Sequence, residues 1–321
     1  MSNAQRPRIK PPALRRGDRV GIVAPASNIK RELLEAGCDS LRAAGYEPFC
    51  LPSILDRDLY FAGSVERRTR ELEEMFVRED VRAIVCARGG YGANYLLNAV
   101  DIRKIAAHPK IFVGYSDLTT LLTWFTDKAG FVTFHGPMVA KDFALTDGVD
   151  FASLRNALEG SGSWQVENSG AKPLIEGEAE GILYGGCLSL LVAALGTPYD
   201  IQTTGTILFL EDVAAKPFQI DRMLMQLKLA CKLDDVCGLV FGEMMDCHQG
   251  NDQDYTLEEV VLRVVGDLGI PVAFGMRSGH TSRANITLPF GVHAKLEVER
   301  EVRLQILEPA TTSWRIQSTS I

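Results

Sequence analysis

The strongest constraint on the fold is an alternation in the first 135 residues. Short apolar runs fall at 19–25 (RVGIVAP), 46–51, 81–87 (VRAIVCA), 111–115 (IFVGY) and 132–135. Between them lie segments with helical spacing, at 30–44, 64–77 and 117–128. In the first of these, Leu33, Leu34, Gly37, Leu41 and Ala44 line one face, and Gly45 stands where a helix stops. Strands that alternate with helices need crossover connections, which make parallel βαβ units with helices on both sheet faces. In an open parallel sheet, ligands bind beyond the carboxyl ends of the strands. Ser27, Gly89-Gly90 and Ser116 all follow apolar runs, so all three are expected on that rim.

The second half reads differently. Residues 160–180 are rich in Gly, Ser and Glu. After Gly185-Gly186 come a helix at 188–195, a strand at 206–210 (TILFL), a helix at 217–232, a strand at 236–241, a helix at 256–268 and a strand at 271–274. From Ala284 the pattern alternates residue by residue, as antiparallel strands do. The expected fold is α/β: a flavodoxin-like parallel-sheet domain over 1–160, a linker over 161–180, and a mixed α/β domain with antiparallel strands over 181–321. Two domains suit a chain of 321 residues.

Composition narrows the function. A net charge of -7 disfavours nucleic acid as a partner. No basic amphipathic run and no apolar run of ~20 residues suggests a membrane role. The basic, Pro-rich start lacks the apolar stretch of a signal peptide, and Ser2-Asn3-Ala4 resembles a cloning scar. The seven cysteines are odd in number, irregularly spaced and without a CxxC pair, which fits reduced thiols in a cytoplasm.

Ser116 lies where an apolar strand runs straight into a helix, the geometry of a nucleophile elbow, although the surrounding sequence is not GxSxG. A helix N-cap is the plainer role for such a serine. A serine nucleophile needs a base. His280, in a polar loop after an apolar strand, and His135, at a strand end, are the two candidates; His108, His248 and His293 are less well placed. Glu211 ends the run TILFL, where an unpartnered carboxylate would be costly, so it suits the group that orients a base. Asp212 should point the other way along the strand. Asp117 could be the acid locally, but capping its own helix is the simpler expectation. The turn 88–92 (RGGYG) lets backbone approach a substrate closely, as an oxyanion hole requires, and matches neither phosphate-binding glycine motif. Glu243, Asp246 and His248 fit no common zinc spacing. Cys187, before a helix, is a rival nucleophile or an inert buried thiol.

These segments, taken in order, resemble the bacterial LD-carboxypeptidases and the related microcin-C immunity peptidases. The matching stretches are GDRVGIVAPAS, ARGGYGANYLL, VGYSDLTTLL, HGPM, GILYGGCLSLL, ILFLEDV and FGMRSGHTSRANITLPFG. The resemblance implies a serine peptidase with Ser116 as nucleophile, His280 as base and Glu211 as its orienting acid. It implies an oxyanion hole from the backbone N–H groups of Gly90 and Asp117, a groove between two domains, a homodimer, and no metal or cofactor. The implied substrate is a muropeptide tetrapeptide losing its terminal D-alanine. Arg88, Tyr91 and Arg283 are candidate substrate contacts, the arginines for the terminal carboxylate. Cys187 stands where relatives often carry Asn. The alternatives are a peptidase for peptidyl nucleotides, as in the microcin branch, a nucleotide-binding enzyme, and a non-enzymatic small-molecule binder.

Overall fold

A computed structural model describes residues 7–160, 162–167, 169–250 and 254–312; Ser2, Asn3 and Ala4 lie outside them. The chain runs β1 (Arg19–Val23), α1 (Arg31–Ala44), β2 (Glu47–Phe49), α2 (Val65–Val77), β3 (Val81–Cys86), α3 (Ile102–Ala107), β4 (Ile111–Gly114), α4 (Thr119–Trp124) and β5 (Thr133–His135). Helix α5 (Phe151–Leu158) leads to β6 (Trp164–Gln165), β7 (Lys172–Ile175), β8 (Gly177–Cys187), α6 (Leu188–Ala193), β9 (Thr206–Glu211) and α7 (Pro217–Leu229). The chain ends with β10 (Gly238–Gly242), α8 (Leu257–Val265), β11 (Val272–Met276), β12 (Leu288–Phe290), β13 (Val292–Val298) and β14 (Val302–Ile306).

Strands β1 to β5 form a parallel sheet in the order β2-β1-β3-β4-β5, the flavodoxin-like arrangement expected. Local chemistry sets the helices over it. Helix α1 buries Leu34, Gly37, Cys38 and Leu41 and stops at Gly45, whose φ of 99° lies in the left-handed region. Ser64 starts α2 by accepting from the Arg67 N–H. The single helix expected over 117–128 is three joined pieces. A 3₁₀ turn at Ser116–Leu118 leads into α4, which widens to a π turn at Phe125–Ala129.

The second sheet has the order β6-β14-β13-β8-β9-β10-β11-β7. Its centre, β8 to β11, is parallel, and β13, β14, β6 and β7 pair antiparallel. Three further things differ from the sequence reading. Helices α3 and α5 were not anticipated. Segment 161–180, expected as a linker, holds the two edge strands β6 and β7, whose polar residues meet solvent, and the start of the central strand β8. Strand β12 leaves the second half and pairs antiparallel with β5, adding an edge to the first sheet. One apolar core therefore runs through both sheets, from Val113 and Phe134 to Phe209, Val240 and Leu288. Among the described residues no helix is long and apolar enough to cross a membrane.

Candidate active site

Ser116 follows β4 directly, with φ at 63°. A non-glycine residue held in the left-handed region is strained, and such strain concentrates at functional sites. Tyr115 occupies the cap position, so Ser116 is already inside the 3₁₀ turn and is not its N-cap. Asp117 does not cap its own helix either, because it too lies past the cap position. Its buried carboxylate turns to the glycine turn and accepts from the Ala93 N–H at 2.7 Å. Burial pushes that carboxyl up to about 6, against the pull of the Ala93 N–H and the Arg68 charge.

The glycine turn presses on the serine. A Cβ on Gly89 would lie 2.9 Å from Ser116 Cβ and 3.4 Å from the Asp117 nitrogen. Gly90 has φ of 99°, and a Cβ there would come 2.3 Å from Ser27 Oγ. Ser27 stays close because its Oγ accepts from the Tyr91 N–H at 3.0 Å. Behind the turn, the buried Arg68 donates to the carbonyls of Pro25 at 2.7 Å and Gly92 at 2.8 Å. The peptide unit joining Gly92 to Ala93 is thus gripped at both edges, its C=O by Arg68 and its N–H by Asp117.

Glu211 ends β9 and is fully buried. Gly242 and Gly279 make room for it; a Cβ on either would approach it to 2.6 Å. Glu211 Oε2 accepts from His280 Nδ1 at 2.6 Å and from the His280 backbone N–H at 3.0 Å. Burial alone would raise this carboxyl, but the charge and hydrogen bonds of His280 outweigh it and hold it below its ordinary value. An ionised carboxylate only accepts, so the proton sits on Nδ1 and Nε2 is left as the base. Asn285 clasps the loop by accepting from the Gly279 N–H at 3.0 Å and donating to the Gly279 carbonyl at 3.1 Å. The imidazole meets the Tyr115 ring edge-on at 5.1 Å, which brings it beside the serine turn. The Ser116 hydroxyl makes no hydrogen bond with a described residue, a common state before a substrate tightens such a site.

The other candidates separate clearly. His135 is fully buried against Tyr115, Phe209 and Phe290, and burial lowers its pKa to about 4, so it stays neutral and reaches no substrate. His108 is exposed, with Nδ1 at 2.9 Å from the Lys104 carbonyl; His248 and His293 are exposed too. Asp212 accepts from the Ser189 N–H at 2.8 Å, away from His280. Glu243 is taken up by the Ser282 N–H at 2.6 Å, and among the described residues no cluster of potential metal ligands occurs. Cys187 is buried and its thiol is pushed well up by burial, which makes it an inert group. Arg88, Tyr91 and Arg283 are exposed. Sequence reasoning missed Arg68, Asp142, whose carboxylate accepts from Tyr115 Oη at 3.1 Å, and Thr119, whose Oγ1 accepts from the Cys187 N–H at 3.0 Å. Only Arg68 left a trace, as an arginine on the apolar face of α2.

Comparison with known proteins gives the family and the fold. A profile described as the LD-carboxypeptidase N-terminal domain matches residues 20–136, and one described as the LD-carboxypeptidase C-terminal domain matches 180–296. The probable murein peptide carboxypeptidase of Bacillus subtilis (strain 168) is 38% identical over 291 residues, covering 89% of this chain and 91% of its own. The solved muramoyltetrapeptide carboxypeptidase of Oxalobacter formigenes superposes with a TM-score of 0.81 at 30% identity, covering 92% of this chain and 100% of its own. The microcin C7 self-immunity protein MccF, in its wild-type apo state, gives a TM-score of 0.88 at 24% identity over 95% of this chain and 100% of its own, a likeness of fold alone.

Proposed function

We propose, because the chain belongs to the LD-carboxypeptidase family, that Ser116, His280 and Glu211 are its catalytic triad. The protein is a serine-type LD-carboxypeptidase, a hydrolase that releases the terminal D-alanine of murein tetrapeptides. The observation that carries the triad is the buried Glu211 carboxylate, 2.6 Å from His280 Nδ1, on an imidazole packed against the residue before the strained serine.

His280 Nε2 takes the proton from Ser116 Oγ as that oxygen attacks the carbonyl of the diamino acid's L-centre. Glu211 holds the imidazole and stabilises its charged form. The backbone N–H groups of Gly90 and Asp117 receive the oxyanion. His280 then gives the proton to the departing amine, D-alanine leaves, and the serine ester remains. Water, deprotonated by His280, cleaves that ester and restores Ser116. Arg88, Tyr91 and Arg283 line the substrate side. Murein recycling by a cytoplasmic homodimer is part of the same proposal, and the seven free cysteines fit a reducing compartment.

The test is D-alanine release from a diaminopimelate tetrapeptide, read by mass spectrometry, with Ser116→Ala alongside. Release by the wild type alone supports the triad and the substrate. Equal release by both removes Ser116 from the chemistry. No release by either, with cleavage of a peptidyl nucleotide by the wild type, moves the substrate to the microcin branch.

A further inference from the structure

We propose that Lys141, together with Lys30 and Arg88, forms a pocket that binds the terminal carboxylate of the substrate; this rests on the carboxypeptidase reading above. A cavity of about 250 Å³ is lined by Ile29, Lys30, Leu33, Arg88, Ala140 and Lys141. It holds three cations and no acid, in a chain whose net charge is -7. The neighbouring carboxylate, Asp142, is turned inward, where it accepts from the Met138 N–H at 2.8 Å and from Tyr115 Oη. Arg88 donates weakly to the Asn28 carbonyl at 3.4 Å, and none of the three cations forms an ion pair with a described residue.

The position is the second argument. Lys30 follows β1, Arg88 follows β3 and Lys141 follows β5, while Ser116 follows β4, which lies between β3 and β5. The pocket therefore opens where the strand order reverses, between β1 and β3, the crevice in which doubly wound sheets take their ligands. Lys141 Nζ stands 5.0 Å over the Tyr115 ring, the same ring that meets His280. His280 protonates the departing amine, and the carboxylate of D-alanine is only one carbon removed from that nitrogen. A cation one side chain away from His280 is placed to hold it. All three cations are exposed, so they meet water until an anion enters, and Ile29 and Ala140 close the inner wall.

The experiment uses Ser116→Ala protein, which would hold the peptide uncleaved, and two probes: the diaminopimelate tetrapeptide and the same peptide with its terminal carboxylate amidated. Calorimetric titration should show the acid binding ~10-fold more tightly than the amide, a typical value for a charge-assisted contact. Adding Lys141→Ala should remove most of that preference, and Lys141→Arg should restore part of it. Equal binding of acid and amide to the Ser116→Ala protein overturns the proposal. Equal weakening of both probes by Lys141→Ala overturns it as well, since the pocket would then serve another carboxylate of the peptide. Binding is read apart from turnover, so absent D-alanine release with an intact acid preference would sink the catalytic reading and leave the pocket standing.

Discussion

Glu211 directs a single oxygen at two N–H groups of His280, so its role depends on being an acceptor. Glu211→Gln would offer an amide in that place and favour the wrong imidazole tautomer. kcat should fall by ~10³–10⁴ while the fold survives, as checked by steady-state kinetics beside a urea melt. Asp117 gives a pH signature. Its folded carboxyl is raised to about 6 from an ordinary 3.8, so the folded state holds the proton more tightly than the unfolded chain does. Its contribution to stability is complete below the unfolded value and is lost as pH rises through about 6. Wild type should therefore lose stability relative to Asp117→Asn between those values, by roughly 2–3 kcal/mol. Urea denaturation across that range measures the difference, and a flat difference would mean that the carboxyl ionises normally. Asp127, also raised to about 6 by burial, titrates in both proteins and cancels.

Helix α2 does more than cover a sheet. Its buried face carries Arg67, Arg68 and Glu71 among Leu72, Met75 and Phe76. Arg67 donates to the Ala62 carbonyl at 2.7 Å, and Arg68 holds Pro25 and Gly92. One helix thus ties together the loops after β1 and β3 that frame the serine. Arg68→Met removes two buried hydrogen bonds and the cation facing Asp117, and should cost about 2–4 kcal/mol in a urea melt. Because it frees the peptide between Gly92 and Ala93, kcat should fall more than KM rises, the pattern of interactions made only in the transition state. An unchanged kcat with the same loss of stability would confine Arg68 to a structural role.

The two sheets share their core and their site. Strand β12 crosses to the first sheet, Tyr184 Oη donates to Asp127 at 2.7 Å, and Tyr199 Oη reaches the Leu97 carbonyl at 3.0 Å. The proposed triad is divided in the same way, with the serine on one sheet's rim and the acid and base on the other's. Residues 7–160 expressed alone would expose the β5 edge and the apolar surface that meets Phe209 and Leu288. That fragment should aggregate on size-exclusion chromatography and release no D-alanine. A monodisperse, folded fragment would show that the first sheet does not need β12.

The sequence by itself determined the parallel half. Its strands must bury both faces and so read as unbroken apolar runs, and its caps, Gly45 and Ser64, are local chemistry. It also placed Ser116, Glu211 and His280 at strand ends, where function gathers in such folds. Only the tertiary structure decided what those residues touch. Glu211 and His280 are 69 positions apart, and nothing local indicates that Gly242 at the end of β10 and Gly279 in the loop before His280 clear space for the carboxylate. Edge strands β6 and β7 looked like linker because one face of an edge strand meets water and its pairing partner lies far along the chain. The partners of Arg68, Asp117 and Lys141 were illegible for the same reason: a charged side chain reads as a solvated one until the fold supplies the carbonyl, the N–H or the ring that holds it.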